Sequence, residues 1–330
     1  LICSGLSGSS HAKSHEDNLN PGWWEKFIGP GCAIDTNKFY VICSNNLGGC
    51  YGTSGPSTIN PVTRKPYGTT FPIMCLEDLV KAQFVLLDHL GIEKLHGVVG
   101  ASLGGMTSIM SGVLFPDRVN HVVTISSCAK SHPTSIAMRY LQRRTIMSDP
   151  NWNYGHYYDK DYPKVGMKLA REIATITYRS GPEWDLRFGR ERIDSSEPPS
   201  LCPNFVIESY LDYQGEKFCT KFDPNSLLYI SKAMDLFDVS EDYGSLTEGL
   251  GRITCPVLVL GVQTDILFPI WQQRQLAKAL QDAGNKWVTY YELNSIFGHD
   301  TFLLDLNGVG AAIKGFLESG KVTCDNPGNT

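Results

Sequence analysis

Three side chains of the types needed for covalent acyl chemistry stand far apart in this sequence: Ser102, Asp265 and His299. A serine hydroxyl is a weak nucleophile until a histidine takes its proton, and a carboxylate fixes that imidazole's tautomer and stabilises its cation. Ser102 is the middle residue of Gly100-Ala101-Ser102-Leu103-Gly104, which follows the apolar Val98-Val99 and precedes apolar residues at helical spacing, Met106, Ile109, Met110, Val113 and Leu114. Strand, sharp turn and helix with a serine at the apex make a nucleophile elbow, its glycines letting the backbone fold tightly. Taken alone, the pentapeptide also fits a tight strand-to-helix turn with a capping serine. The order Ser102, Asp265, His299 is the one found in α/β folds that carry such an elbow, and differs from both serine-protease orders. On the residues alone, Asp265 could instead cap the helix after Pro269, and His299 could be one of eight ordinary histidines.

These residues need a scaffold, and the chain is long enough to build one. Its 330 residues bury a full core, and α/β folds of this length are often one domain with an insertion. Composition is that of a globular protein, 42% hydrophobic and 19% charged, with a net charge of −5 and no Lys/Arg block. Nucleic acid and anionic membrane surfaces therefore have no electrostatic footprint here. No apolar run approaches the ~18 residues of a spanning helix. The ten cysteines are scattered without Cys-x-x-Cys spacing, which supports neither a zinc site nor a dithiol motif. They read as buried free thiols of a reducing compartment, cytoplasmic or mitochondrial and not secreted.

Taken in order, Leu1-Ile2-Cys3 reads as the end of a strand already inside a sheet, with one or two earlier strands and any targeting segment expected upstream. The small-residue loop Ser4 to His11 follows. In elbow-bearing folds this loop gives one oxyanion-hole N–H, and the residue after the nucleophile gives the other, which nominates the amides of Leu6 and Leu103. A flexible glycine-serine linker is the alternative. A strand is expected over residues 39–47, then a glycine-rich loop, residues 48–56. That loop lacks the Gly-Lys-Ser/Thr of a nucleotide loop and reads as an irregular segment near the site mouth.

A helix over Glu77 to Leu90, the elbow strand, its helix to Phe115 and a strand over Val119 to Ile125 give the alternation of a parallel sheet. Between about Ser127 and Gly251 that alternation stops. The segment is helical and aromatic-rich, with helices expected over Ile136 to Met147, Val165 to Tyr178, Phe205 to Phe222 and Leu227 to Phe237. It reads as a lid where a substrate cover must be. Alternation resumes with a strand at Cys255 to Gly261, a helix over Gln272 to Ala283, a strand over Trp287 to Glu292 and a last helix over Val309 to Leu317. The expected organisation is a first core part (1–126), a helical lid (127–251), a second core part (252–320) and a disordered tail (321–330). Asp265 then follows one strand's carboxyl end and His299 lies beyond the next, at the sheet edge where ligands bind in open α/β folds.

Several further runs carry a resemblance. Asn45-Asn46-Leu47-Gly48, Gly52 to Pro61, Gly68-Thr69-Thr70-Phe71-Pro72, the elbow with Gly105-Met106, Ser148-Asp149-Pro150 and Gly298-His299-Asp300 together resemble the homoserine O-acetyltransferase family of α/β-hydrolase folds. Gly22-Trp23-Trp24, Trp184 to Arg190, Gln214 to Phe218 and Asp235 to Asp238 look closer to its serine O-acetyltransferase and serine O-succinyltransferase members. The resemblance covers the chain from Gly5 to about Leu304. It implies an α/β-hydrolase fold, an acetyl-CoA or succinyl-CoA co-substrate, an L-serine or L-homoserine acceptor, a role in cysteine or methionine biosynthesis, and no metal or bound cofactor. It places the nucleophile on Ser102, the acid on Asp265, the base on His299, and substrate binding on Arg171 and Asp300. A guanidinium forks onto a carboxylate and a carboxylate receives an ammonium, so both assignments make chemical sense. Without the resemblance, Arg171 reads as a solvated helix charge. An esterase or thioesterase of the same fold is the rival activity, and a homodimer is a partner that the resemblance allows.

Overall fold

Short runs of β-branched residues, buried on both faces, can only be strands of a covered parallel sheet, and that is how Val98-Val99, Val122-Val123 and Val257 to Val262 are used. In the computed structural model, which describes residues 1–219 and 221–319, the chain runs β1 (Ile2–Cys3), β2 (Ile28–Gly29), β3 (Ile34–Asp35), β4 (Cys43–Ser44), α1 (Leu76–His89), β5 (Val98–Ala101), α2 (Leu103–Leu114) and β6 (Val122–Ile125). A helical stretch follows: α3 (Pro133–Met147), α4 (Lys164–Tyr178), α5 (Gly181–Phe188), α6 (Val206–Cys219), α7 (Pro224–Asp235) and α8 (Leu246–Leu250). The chain then closes with β7 (Val257–Val262), α9 (Ile270–Asp282), β8 (Val288–Leu293), α10 (Thr301–Leu304) and α11 (Ala311–Glu318).

The main sheet has the order β4-β1-β5-β6-β7-β8 and every pairing in it is parallel. Alternation along the strands sorts the side chains onto two faces. Val98, Val122, Val257 and Val259 pack with α1, α2 and α9, while Val99, Val123, Ile125, Leu258 and Leu260 pack with Ile313 and Leu317 of α11 and with Trp24 and Phe27. Ile2 lies between Cys43 and Val99 in register, so the apolar start of the chain is an interior strand. β2 and β3 form a separate two-stranded ribbon that the sequence pattern did not suggest.

Three expectations need correction. The strand expected over residues 39–47 shrinks to Cys43–Ser44, and Tyr40 is 82% exposed. Its β-forming residues lie at the sheet's margin, where only β1 is available to pair. Helix α5 has no counterpart among the expected helices, and Gly181-Pro182 at its start is a pair usually found outside helices. Ser180 in fact caps it, its Oγ accepting from the Glu183 amide, with Pro182 in the first turn. Finally, the thiols are unpaired among the described residues, but only Cys3, Cys128 and Cys219 are buried, while Cys32, Cys43, Cys50, Cys75 and Cys255 are half-buried and Cys202 is exposed. The expected tail, residues 321–330, lies outside the described residues.

The helical stretch is pinned internally by charge. Arg139 and Arg143 of α3 both reach Asp235 at the end of α7, at 2.6 and 2.5 Å, and Arg139 and Asp235 are almost fully buried. A carboxylate shared by two guanidiniums is satisfied; removing it leaves two cations facing a low-dielectric interior. Asp235→Ala is therefore expected to cost about 3–5 kcal/mol, measured as a lowered urea midpoint by far-UV circular dichroism.

Candidate active site

The elbow is held by close backbone contact. A Cβ on Gly104 would lie 2.1 Å from the Cys3 carbonyl oxygen, and one on Gly100 would lie 2.2 Å from the Gly104 carbonyl oxygen. Only glycine lets α2 start this near the end of β1. Between them, Ser102 has φ 58° and ψ −124°, a conformation that L side chains adopt only when the surroundings enforce it. Its amide donates to Ile125 O at 2.9 Å and its carbonyl accepts from Met106 N at 3.1 Å, which ties the apex to β6 and to the first turn of α2.

Asp265 follows β7 and is buried. Its Oδ1 accepts from the amides of Leu267 and Phe268, both at 2.9 Å, so the carboxylate organises its own loop and does not cap α9. Its Oδ2 accepts from His299 Nδ1 at 2.7 Å. That bond fixes the imidazole's tautomer and leaves Nε2 as the basic nitrogen. His299 is 3% exposed, stacked with Phe268 at 5.3 Å and Tyr178 at 6.2 Å between ring centroids. Burial disfavours the imidazolium, but the Asp265 and Asp300 carboxylates outweigh it and hold His299 above its ordinary value of 6.5.

Ser102 and His299 line one cavity of about 190 Å³ together with Gly5 to Gly8, Trp23, Arg171, Tyr178, Asp300, Phe302 and Leu303. Leu6 is thus in its wall. Neither the Leu6 nor the Leu103 amide donates to a protein acceptor among the described residues. A developing oxyanion requires free N–H groups of this kind aimed at it.

Arg171 projects from α4 into the cavity, its guanidinium 4.5 Å over Phe218 and 5.2 Å over Tyr178, with its buried Nε unpartnered. It is not the solvated helix charge that spacing alone suggested. Asp300 adjoins His299 and lines the same cavity. Burial outweighs the opposing pull of Arg179, His299 and Arg171, so its carboxyl stands above its ordinary value of 3.8. Opposite charges thus line the cavity that holds Ser102.

The expected site residues are brought together, but the glycine-rich loop is not part of the wall. None of residues 48–56 lines the cavity. The preceding asparagines instead brace the wall from behind, Asn46 Nδ2 donating to Ser4 Oγ at 3.2 Å and Asn45 Oδ1 accepting from the Ser10 amide at 2.6 Å. Trp23 and Tyr178 were not anticipated as wall residues. Arg179 and Glu183, which pair behind Asp300, were missed altogether.

Residues 1–304 match the family described as alpha/beta hydrolase fold. The serine O-succinyltransferase of Emericella nidulans is 51% identical over 96% of this chain and 74% of its own, and the homoserine O-acetyltransferase of Moorella thermoacetica 42% over 96% and 85%. The chain belongs to the homoserine O-acetyltransferase family. It is an acyltransferase on the α/β-hydrolase fold. Among solved structures, esterase E22 superposes with a TM-score of 0.87 at 31% identity, covering 96% of this chain and 89% of that one. No helix among the described residues is long and apolar enough to cross a membrane.

Two outcomes follow from this geometry. Replacing Ser102 by glycine is expected to abolish fluorophosphonate labelling yet raise stability by about 1 kcal/mol, read from the shift in denaturation midpoint. A base must be neutral to act, and His299 binds its proton more tightly than usual. Labelling of the wild-type enzyme should therefore fall away on the acid side through a pKa above 6.5. In Asp265→Asn that limb should move to lower pH and the rate drop by about 10⁴-fold.

Proposed function

We propose that this enzyme moves an acyl group from acetyl-CoA or succinyl-CoA to the hydroxyl of L-serine or L-homoserine through an acyl-enzyme on Ser102. The observation that carries this reading is the placement of Arg171 and Asp300 on the wall that also holds Ser102 and His299. An amino acid presents a carboxylate and an ammonium beside its hydroxyl, and one cavity offers a partner for each.

In the first half-reaction His299 takes the Ser102 proton, the oxygen attacks the thioester carbonyl, and the Leu6 and Leu103 amides hold the tetrahedral oxyanion. Collapse expels the coenzyme A thiolate, which takes the proton from His299. In the second, the acceptor's hydroxyl gives its proton to His299 and attacks the acyl-enzyme, releasing the O-acyl amino acid and restoring Ser102. Arg171 receives the acceptor's carboxylate and Asp300 its ammonium. The helical residues 127–251 act as a lid that keeps water from the acyl-enzyme. The product is an activated amino acid suited to sulfur incorporation, which fits cysteine or methionine biosynthesis.

A second reading, an esterase or thioesterase, is favoured by the likeness to esterase E22. Water would then take the acceptor's place and Arg171 would have no partner to bind. Exposed Tyr140, Leu141, Val165 and Leu169 on α3 and α4 favour a homodimer through the lid. The unpaired thiols favour the cytoplasm or the mitochondrion over an oxidising compartment.

The test is a coenzyme A release assay crossing both donors with both acceptors. Release is expected to accelerate with one acceptor and to remain slow with none; equal release with and without every acceptor would favour hydrolysis instead. Arg171→Ala is expected to lower acceptor kcat/KM by about a hundredfold while donor hydrolysis persists, as read from the same assay.

A further inference from the structure

Asp300 does not stand alone. Arg179, in the joint between α4 and α5, places Nε 3.1 Å from Asp300 Oδ2, and its Nη1 donates to Glu183 Oε1 at 2.6 Å. Glu183 is 3% exposed, with Arg187 3.6 Å from the same oxygen and its other oxygen unpartnered. Arg179 itself does not line the cavity, whereas Arg171 does and keeps its Nε unpartnered. The two arginines therefore have different work. Arg179 faces Asp300 with Nε and Glu183 with Nη1 and stands off the cavity wall, whereas Arg171 is the one placed to receive a substrate carboxylate.

The backbone holds this arrangement in place. Gly298, at φ 60°, packs so tightly that a Cβ would lie 2.8 Å from the Arg179 carbonyl carbon and 2.9 Å from the Ser180 amide nitrogen. Ser180 Oγ also donates to the Ile296 carbonyl. The loop carrying His299 and Asp300 is thereby fastened to the segment carrying Arg179.

We infer that Arg179 is a positioning residue for the acceptor site: it holds the Asp300 carboxylate aimed at the substrate's ammonium, while Glu183 draws off enough of its charge that Asp300 still attracts a cation. This rests on the reading of Asp300 as the ammonium partner. The groups facing Asp300 are Arg179 and Glu183 from the joint and α5, Arg171 and Tyr178 from α4, and His299 beside it. Burial and Glu183 favour the protonated acid, and Arg179 is the strongest influence the other way. Without it, a neutral Asp300 would offer an ammonium no charge.

The experiment compares Arg179→Met, Arg179→Lys and Asp300→Asn in the whole enzyme, using the acceptor and donor that coenzyme A release identifies. In Arg179→Met the acceptor KM, taken against wild type at the same pH, should rise about tenfold at the acid end of the working range, the effect expected of removing a guanidinium beside a carboxylate. The penalty should shrink as pH rises and Asp300 ionises unaided, and acylation by the donor should stay within about twofold. Arg179→Lys, which keeps the charge, should stay near wild type. An unchanged acceptor KM in Arg179→Met beside a raised one in Asp300→Asn would overturn the inference. So would a penalty independent of pH, equal losses in the Met and Lys variants, or acylation falling in step with acceptor use. An unchanged KM in Asp300→Asn would instead overturn the reading of Asp300 itself, and the inference with it.

Discussion

The contact between Gly104 and the Cys3 carbonyl is the constraint on which the rest of the molecule depends. It sets the start of α2 against the end of β1, so the Gly5 to Gly8 loop and the serine apex must share one space. Leu6 comes to share a cavity with Ser102 in this way, whereas Leu103 follows Ser102 in the chain. The unusual conformation of Ser102 carries a strain of about 1–3 kcal/mol. It persists because β5 is pinned on both sides, by β1 and β6, and because the apex amide is bonded to Ile125. A sheet buried on both faces is stiff enough to impose that geometry, which a surface loop would relax.

The same sheet edge gathers charge. Asp265 stabilises a proton on His299 against the cost of burying it, and Asp300 adds to that pull from the other side. A carboxylate next to a base raises its proton affinity, which favours accepting a proton from a hydroxyl but moves the working range to higher pH. Arg171, Arg179, Asp300 and Glu183 together sum to zero, so the outer part of the site gains little net field from its own charges. A zwitterion adds no net charge to that set, and both of its ends find opposite partners.

Much of this was legible in the sequence because it is local. The elbow is written in five consecutive residues with apolar flanks, and the interior strands are written as β-branched runs that no exposed segment would carry. Asp265 and His299 were legible through chain order and through the strands before them. What was not legible depends on distance or on competing signals. Residues 39–47 have strand-forming side chains, yet pairing at the sheet's margin engages only Cys43–Ser44. The start of α5 carries a usable sign, Ser180 followed three residues later by Glu183, which the intervening Gly181-Pro182 masked. Arg179 carries no such sign: its partner Asp300 is remote in the chain, and only the folded approach of Gly298 to the joint between α4 and α5 reveals the pairing.

The buried charges also bear on why a hydrolase scaffold would be held to transfer. Hydrolysis needs the nucleophile, its base and the oxyanion amides, and nothing in it calls for a half-buried guanidinium opposite a carboxylate on the cavity wall. Withdrawing such groups from water costs free energy unless each is satisfied. Asp300 recovers part of that cost from Arg179, but the Arg171 Nε has no partner within the protein. A donor of this kind adds little to the fold's own stability, and water or a ligand with a complementary acceptor can meet it. A carboxylate would meet the guanidinium with charge as well as a hydrogen bond, whereas water and a simple alcohol would meet it with a hydrogen bond alone.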